Sequence, residues 1–347
     1  MTHKERFYAT IERRPVDRPA SWLGLPVPDA HKGLFDYFGV NSVDALKVKI
    51  DDDVYPVELP YHSPTSDAIY AAFNFAKKRK SGEKERTLTA PGFFEEVTDP
   101  ARVEEFDWPD PVRYIDPEAC RKVVAEAPEN DAVLGVVWSA HFQDACAAFG
   151  METALVTMMT EPDMFRAVID RITDFYLQAN EIFYRATEGR LDAVLIGNDF
   201  GSQTALMLSP DLIRAQVWPG TGKLIDQAKE YGLKVIHHAC GSIYDIIPDL
   251  IELGVDAIHP IQALAKNMEA SRLRKEFGDQ VSFCGGVDAQ RLLVQGTPDQ
   301  IRCKVHELKR LFPTGLIISP SHEAILPDIN PANVEALFDA VSNTEKH

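Results

Sequence analysis

One histidine and one cysteine, separated by a single residue, form the motif of this chain that is best suited to chemistry: His238-Ala239-Cys240. The motif begins at His238, the last residue of the run 234–238, and that run is typical of a β-strand. Residues i and i+2 of an extended segment point the same way, so an imidazole and a thiolate here can both reach one ion. Zinc accepts such mixed nitrogen and sulfur ligands. The same two residues are also compatible with a hydrogen-bonded core histidine beside a small buried cysteine.

Other polar residues follow the neighbouring apolar runs, and three of them are candidates for a third metal ligand. His322 follows the run 315–319, while Cys284 and His259 end the runs 280–284 and 256–259. If these runs are parallel strands, their carboxyl ends converge on one mouth, where barrel enzymes carry their active sites. We therefore expect a metal site made of His238, Cys240 and a third residue from another strand.

Four further residues are candidates for substrate contacts at the same mouth. Asp199 and Gln203 lie in the glycine-rich turn after the run 193–197, and we predict that they are catalytic residues, with Asp199 orienting a substrate or a metal-bound histidine. Asp199 is equally compatible with a capping role in its own turn. Gln262 and Asp288, together with His259, are predicted to bind substrate, although the first two could simply stabilise their loops.

The order of elements along the chain predicts an α/β fold, specifically a (β/α)8 TIM barrel. Short apolar runs alternate with amphipathic stretches, as expected for parallel strands covered by helices. Several helix starts carry a capping residue followed by proline, such as Ser209-Pro210 and Thr297-Pro298. We interpret residues 1–347 as a single domain, with an irregular insertion, 55–115, after the second strand. The predicted strands are Ala20–Gly24, Leu46–Ile50, Ala132–Trp138, Ala193–Gly197, Lys234–His238, Asp256–His259, Gln280–Cys284 and Gly315–Ser319.

Composition and charge argue against nucleic-acid-binding, membrane-spanning and secreted proteins. The 347 residues include 36 basic and 53 acidic side chains, a formal net charge of −17, which argues against nucleic acid as a partner. The basic cluster Lys77–Lys80 is followed by acidic residues and is predicted to be a solvated loop. No apolar run is long enough for a membrane span, and the charged N-terminus does not resemble a signal peptide. Five scattered cysteines predict a reducing, cytoplasmic compartment.

Several of these motifs together resemble the uroporphyrinogen decarboxylase superfamily. The likeness extends from about residue 5 to about residue 342, and it implies a (β/α)8 barrel. The decarboxylases of this superfamily hold the carboxylates of a porphyrinogen with an arginine-rich N-terminal segment. The corresponding stretch here, 21–28, contains no arginine. The residues that carry the resemblance are Arg14–Pro19, Gly197–Gln203, Ser209-Pro210, His238–Ser242, Pro260–Gln262, Gly285–Asp288 and Ser319–His322.

The cobalamin-dependent methyltransferases of the superfamily share the His-X-Cys motif, and the resemblance to them implies zinc. Their third zinc ligand is usually a cysteine in the loop after the eighth strand, where this chain has His322, also a competent zinc ligand. Carried over, the ligands are His238, Cys240 and His322, with Cys284 as a fallback.

The resemblance implies a zinc-dependent methyltransferase that moves a methyl group between a small thiol or methoxy/methylamine-type substrate and cobalamin. No Asp-x-His-x-x-Gly motif is present in the chain, so the cobalamin would arrive on a separate corrinoid protein. The alternatives are a decarboxylase and a non-catalytic barrel that binds a tetrapyrrole or corrinoid.

Overall fold

The computed structural model describes residues 1–75 and 89–343, so the Lys77–Lys80 cluster lies outside the described residues. Strands β2 to β8 form a parallel sheet of seven strands in chain order, with helices in the connections between them. A small parallel pair, β1 with β9, lies apart from this sheet. The strands are β1 (Leu25–Pro26), β2 (Val54–Glu58), β3 (Ala132–Trp138), β4 (Ala193–Gly197), β5 (Lys234–His238), β6 (Ala257–Ile261), β7 (Ser282–Val287), β8 (Leu316–Pro320) and β9 (Ala324–Ile325).

The first predicted strand, Ala20–Gly24, joins the two ends of the curled sheet without being a regular strand. The carbonyl of Ala20 accepts the amide of Ile318 on β8, and the amide of Trp22 donates back to the carbonyl of Ile318. On the other side, the carbonyl of Ser21 accepts the amide of Asp53, immediately before β2. Three residues thus bridge β8 and β2 in the position of the first barrel strand, which confirms the predicted (β/α)8 barrel.

The prediction of a second strand at Leu46–Ile50 is wrong. These residues belong to helix α3, which is capped by the Ser42 side chain. The second barrel strand is β2, so the interval 55–115 begins inside that strand, and the irregular segment starts after Glu58. The alternation of apolar and polar residues over 43–50 is compatible with a strand or a helix, and the capping residue Ser42 favours the helix.

Several helices begin at the positions predicted from a capping residue followed by proline. Ser209 caps α9 and Thr297 caps α14, each followed by proline in the first turn. Two 3-10 helices, Ile69–Ala71 and Pro100–Glu105, lie in the irregular segment, and a third, Tyr244–Ile246, follows β5. The helices are α1 (His3–Ile11), α2 (Pro28–Phe38), α3 (Val43–Ile50), α4 (Pro111–Tyr114), α5 (Pro117–Ala125), α6 (His141–Phe149), α7 (Met151–Thr160), α8 (Pro162–Ala186), α9 (Pro210–Gln216), α10 (Trp218–Glu230), α11 (Ile247–Glu252), α12 (Ala270–Phe277), α13 (Leu292–Gln295), α14 (Pro298–Leu311) and α15 (Pro331–Ser342).

Two apolar cores hold the barrel together. The larger lies between the sheet and the surrounding helices, and the smaller fills the barrel interior. Phe7 and Ile11 of α1 pack into the interior core beside Trp22 and Leu134. In the part of the chain that the structure describes, no helix is both long enough and apolar enough to cross a bilayer.

Candidate functional site

A cavity of about 500 Å³ lies where the strands β2 to β5 end. Its wall includes Glu58 at the end of β2, Trp138 at the end of β3, Gly197 at the end of β4 and His238 at the end of β5. The segment around β9 contributes Glu323. The cavity therefore occupies the carboxyl-terminal mouth, the face of a barrel that carries catalytic residues.

Two of the three predicted metal ligands are in contact at this mouth. The Sγ atom of Cys240 is 3.4 Å from Nε2 of His238. The third, His322, lies close enough to the Cys240 thiol for that group to raise the pKa of His322. Two ligands of one tetrahedral zinc ion, a nitrogen and a sulfur, lie about 3.5 Å apart. The donor types and the spacing of His238 and Cys240 therefore fit zinc, and the third group whose ligand atom lies within 4.8 Å of both is Asp199.

Asp199 lies against both residues of the His-X-Cys motif. Its Oδ1 accepts the backbone amide of Cys240 at 2.9 Å and lies 3.2 Å from Nε2 of His238. Desolvation alone would raise the pKa of Asp199, but the hydrogen bonds and charge of His238 outweigh it and hold that pKa well below its usual range. Asp199 is thus an ionised partner for His238, and its oxygen lies close enough to share an ion with His238 and Cys240.

His259 contacts the opposite side of the His238 ring. The two Nδ1 atoms are 2.9 Å apart, and the His259 ring also packs on Trp22. Burial, and then the charge of His238, keep the pKa of His259 well below its usual value, so His259 is neutral and accepts the His238 Nδ1 proton. This hydrogen bond leaves Nε2 of His238 to face Cys240. The structure places His259 behind the proposed ligand, and its predicted contact with substrate stays a prediction.

Burial affects the pKa of His238 in competition with its acidic neighbours. Desolvation would lower that pKa, but the charge of Glu323 and the hydrogen bond to Asp199 raise it well above its usual value. Oε2 of Glu323 lies 3.5 Å from Nδ1 of His238. His238 therefore lies between two carboxylates that favour its charged form over its neutral form.

Two of the remaining predicted residues support loops. The Gln262 side-chain oxygen accepts the Gly241 amide at 2.5 Å and so fixes the turn that follows Cys240. The Asp288 carboxylate accepts three amides at the start of α13, those of Gln290, Arg291 and Leu292. Both residues adopt the loop-stabilising alternative, and their roles in binding substrate stay predictions.

The structure shows no side-chain contact of Gln203 or Cys284 with His238 or Cys240. Gln203 is exposed in the loop after β4, where its carbonyl accepts the amide of Lys266. Cys284 is fully buried in the interior core, with Sγ 3.4 Å from the hydroxyl of Ser319, and burial raises its pKa to about 12. Of the three candidates for the third ligand, His322 is the one near the Cys240 thiol, while His259 contacts Nδ1 of His238 and Cys284 is in the interior core.

Glycines explain how the loops after β4 and β5 come so close. Gly241 has a positive φ of 86°, and a Cβ atom there would lie 2.3 Å from the carbonyl oxygen of Gly201. A Cβ atom on Gly201 would lie 2.7 Å from the backbone of Cys240. Side chains at either position would push the two loops apart, and with them Asp199 and Cys240.

Sequence reasoning missed four residues of the site. Gln143 on α6 donates its amide to Oδ2 of Asp199 at 3.2 Å. Trp138 lies edge-on to His238, with ring centroids 5.7 Å apart. Glu58 could not be placed at the mouth from the sequence, because the second strand was predicted at residues 46–50 and not at β2, which Glu58 ends. Glu323 is the one with a local signal, since it directly follows His322.

Comparisons with known proteins show that this chain is similar to two kinds of enzyme. A uroporphyrinogen decarboxylase from Chlorobium phaeobacteroides is 26% identical over 193 residues, which cover 53% of this chain and 50% of that protein. A methylated-thiol–coenzyme M methyltransferase from Methanosarcina mazei is 24% identical over 217 residues, covering 61% of this chain and 56% of that protein. The chain thus spans about half the length of the curated relatives it matches.

A solved structure supports the fold over nearly the whole chain. A methyltransferase from Methanosarcina mazei superposes with a TM-score of 0.67 at 19% identity, and the match covers 98% of each chain. At this identity the likeness concerns the fold alone. The model of the uroporphyrinogen decarboxylase (URO-D) family matches residues 84–344, about three quarters of the sequence. The chain therefore belongs to the uroporphyrinogen decarboxylase (URO-D) family.

Proposed function

We propose that this protein is a zinc-dependent methyltransferase that moves a methyl group between a small thiol or methoxy/methylamine-type substrate and the cobalamin of a corrinoid protein. The observation that carries the proposal is the contact of Cys240 with His238 beside the cavity, with His322 near the same thiol. The relative from Methanosarcina mazei, a methyltransferase for methylated thiols by its name, supports the same kind of chemistry.

The donor set supports zinc in particular. Two imidazoles and one thiolate make a three-ligand set of nitrogen and sulfur, and a fourth position then remains for a substrate atom, as in catalytic zinc sites. A bound zinc ion would lower the pKa of a substrate thiol or polarise the heteroatom of a methyl donor. Oxygen-preferring cations such as Mg²⁺ are disfavoured by the thiolate.

The residues around the ligands have distinct parts in this proposal. His259 accepts the Nδ1 proton of His238 and so fixes the tautomer that offers Nε2. Asp199 holds the Cys240 backbone and faces His238 from the cavity side, where it can orient a substrate proton. Gln143 in turn holds Asp199. The cavity mouth would receive the corrinoid of the partner protein.

The decarboxylase alternative has less support at the site. A porphyrinogen with several carboxylates needs several basic partners, for which arginine is best suited. The described residues around the cavity include no arginine or lysine and four acidic residues, Glu58, Asp144, Asp199 and Glu323. The same lining disfavours a non-catalytic barrel that binds a tetrapyrrole through its carboxylates.

Metal content tests the proposal directly. The chain, purified without a metal-binding tag and reloaded under reducing conditions, should hold about one zinc per chain in plasma mass spectrometry. Cys240→Ala should lose tight zinc binding, because one of three ligands is removed. Cys303→Ala is the matched control, since Cys303 is exposed on α14. A chain without zinc, or a Cys240→Ala variant with full zinc content, would contradict the proposal.

The third ligand is tested in the same assay. His322→Ala should weaken zinc binding more than Cys284→Ala does, because His322 lies near the Cys240 thiol and Cys284 is buried in the interior core. The reverse order would assign the third ligand to β7. Methyl transfer from methylcobalamin to thiols then tests the activity itself.

A further inference from the structure

The charge of the cavity wall says what kind of substrate the site accepts. Glu58, Asp199 and Glu323 all line the cavity, and none of the described residues around it is a lysine or arginine. From this wall we infer that the substrate is a small cation, specifically a thiol or methyl donor whose body carries an ammonium group. The inference rests on the proposed function and specifies the substrate class of the same site.

Two of the acidic groups lack a full set of partners. The structure shows no hydrogen bond or ion pair between the carboxylate of Glu58, which is partly exposed to the cavity, and another described residue, and partial loss of water around this carboxylate raises its pKa. Oε2 of Glu323 is buried without a hydrogen-bond partner among the described residues, and the nearest nitrogens, on His238 and His322, are 3.5 and 3.6 Å away. A buried acceptor of this kind calls for a donor or a positive charge from a ligand.

Aromatic side chains supply a second, independent feature of a cation site. Trp138 and Tyr70 both line the cavity, and the Tyr70 side chain is 53% exposed. The faces of such rings attract ammonium groups through their quadrupole, most strongly where water is partly excluded. Leu25, Val27 and Ala324 complete a wall that suits the methylene groups of a small organic cation.

A bound zinc ion does not reverse this preference. Zinc held by the thiolate of Cys240 and two neutral imidazoles carries a single net positive charge. The wall carries four acidic residues and no described lysine or arginine, so a single positive charge at the metal does not balance it. A substrate thiolate would bind at the metal, and its ammonium group would face the carboxylates. A sulfonate or carboxylate in place of the ammonium group would be repelled.

Three thiols of equal length separate the possibilities. The full chain, loaded with zinc, is titrated by calorimetry with 2-aminoethanethiol, 2-mercaptoethanol and 2-mercaptoethanesulfonate, which are cationic, neutral and anionic. We expect the cation to bind about tenfold or more tighter than the anion, with the neutral thiol between them. Equal affinities, tighter binding of the sulfonate, or no binding of any of the three would overturn the inference.

Variants locate the effect in the cavity. Glu58→Gln keeps the shape of the side chain and should reduce the ratio of cation to anion affinity by about threefold or more. Glu188→Gln is the matched control, because Glu188 is exposed in the turn before β4, at the opposite end of that strand. An unchanged ratio in Glu58→Gln, or an equal drop in Glu188→Gln, would contradict the role of the cavity wall.

The same samples keep the two proposals apart. Zinc content and methyl transfer are measured beside the titrations. A chain that holds zinc and methylates thiols but prefers the sulfonate disproves the charge inference alone. A chain that prefers the cation but holds no zinc disproves the proposed function alone.

Discussion

The two ring nitrogens of His238 have different partners, and this difference organises the site. Nε2 faces Cys240 and Asp199, while Nδ1 faces the neutral ring of His259. A histidine can offer only one nitrogen to a metal, and the hydrogen bond at the other nitrogen sets which one it is. His259 is therefore a positioning residue that acts through His238.

Removal of the His259 nitrogen should weaken the metal site without unfolding the barrel. His259→Phe keeps a flat ring against Trp22 but deletes the acceptor for the Nδ1 proton of His238. We expect zinc affinity to fall about 10- to 100-fold in a competition titration with a chelator. His306→Phe, at a partly exposed histidine on α14, serves as the control. Unchanged zinc affinity in His259→Phe would show that His238 is oriented by other groups.

At the scale of residues, the sequence indicated the proposed metal ligands but not the side chains that contact them. His238 and Cys240 could be paired from their spacing alone, because the alternation of a strand fixes which side chains share a side. His322 was one of three candidates for the third ligand from the residues alone, and the family resemblance selected it; its position near Cys240 depends on a loop path that spacing does not determine. Gln143 and Trp138 could not be predicted, since they reach the site from α6 and from the end of β3 through tertiary packing.

At the scale of elements, a buried ionic cluster joins the pieces that close the barrel. Asp53, immediately before β2, accepts hydrogen bonds from Arg6 of α1 and from Arg18, each at 2.6 Å. It also accepts the amide of Ser21 in the bridging segment at 2.8 Å. One fully buried carboxylate thus ties α1, the bridging segment and β2 together.

Neutralisation of Asp53 should destabilise the barrel strongly. Asp53→Asn leaves two buried guanidinium groups without their shared anion, and we expect a loss of about 3 kcal/mol in the free energy of unfolding. Denaturation by urea measures the loss. Asp36→Asn breaks only the exposed pair with Lys32, which water and salt screen, and should leave the free energy of unfolding nearly unchanged. Similar losses in the two variants would argue against a closing role for the cluster.

The same region shows where element prediction failed and why. The runs that became β3, β4 and β5 are buried along their length and rich in Val, Ile and Leu, so their bounds were predicted correctly. Strand β2 contains Pro56 and ends in an exposed Glu58, and these residues do not resemble a buried strand. The apolar stretch just before β2 belongs to helix α3, and it was wrongly predicted to be the second strand. Long-range pairing with β3, and not local preference, makes β2 a strand.

At the scale of the whole molecule, the proposed zinc ion would connect two distant parts of the chain. His238 is the last residue of β5 and Cys240 follows that strand. His322 comes about 80 residues later in the chain, between β8 and β9. An ion bound by both segments would stabilise the folded chain over the unfolded one, because the unfolded chain does not hold the three ligands together. The stability of the molecule should therefore depend on zinc.

Thermal unfolding checks this dependence. With zinc about 1,000-fold above its dissociation constant, the folded state gains about 4 kcal/mol, which for a chain of this size raises Tm by about 5 °C relative to a sample treated with a chelator. In Cys240→Ala the difference should vanish, because tight binding is lost, whereas Cys303→Ala should keep it. A Tm that is the same with and without zinc in the unaltered chain would mean that the three ligands do not hold a common ion. A zinc-dependent shift that persists in Cys240→Ala would place the ion elsewhere, and the nearby group of His238, His259 and Glu323 would then be the next candidate to test.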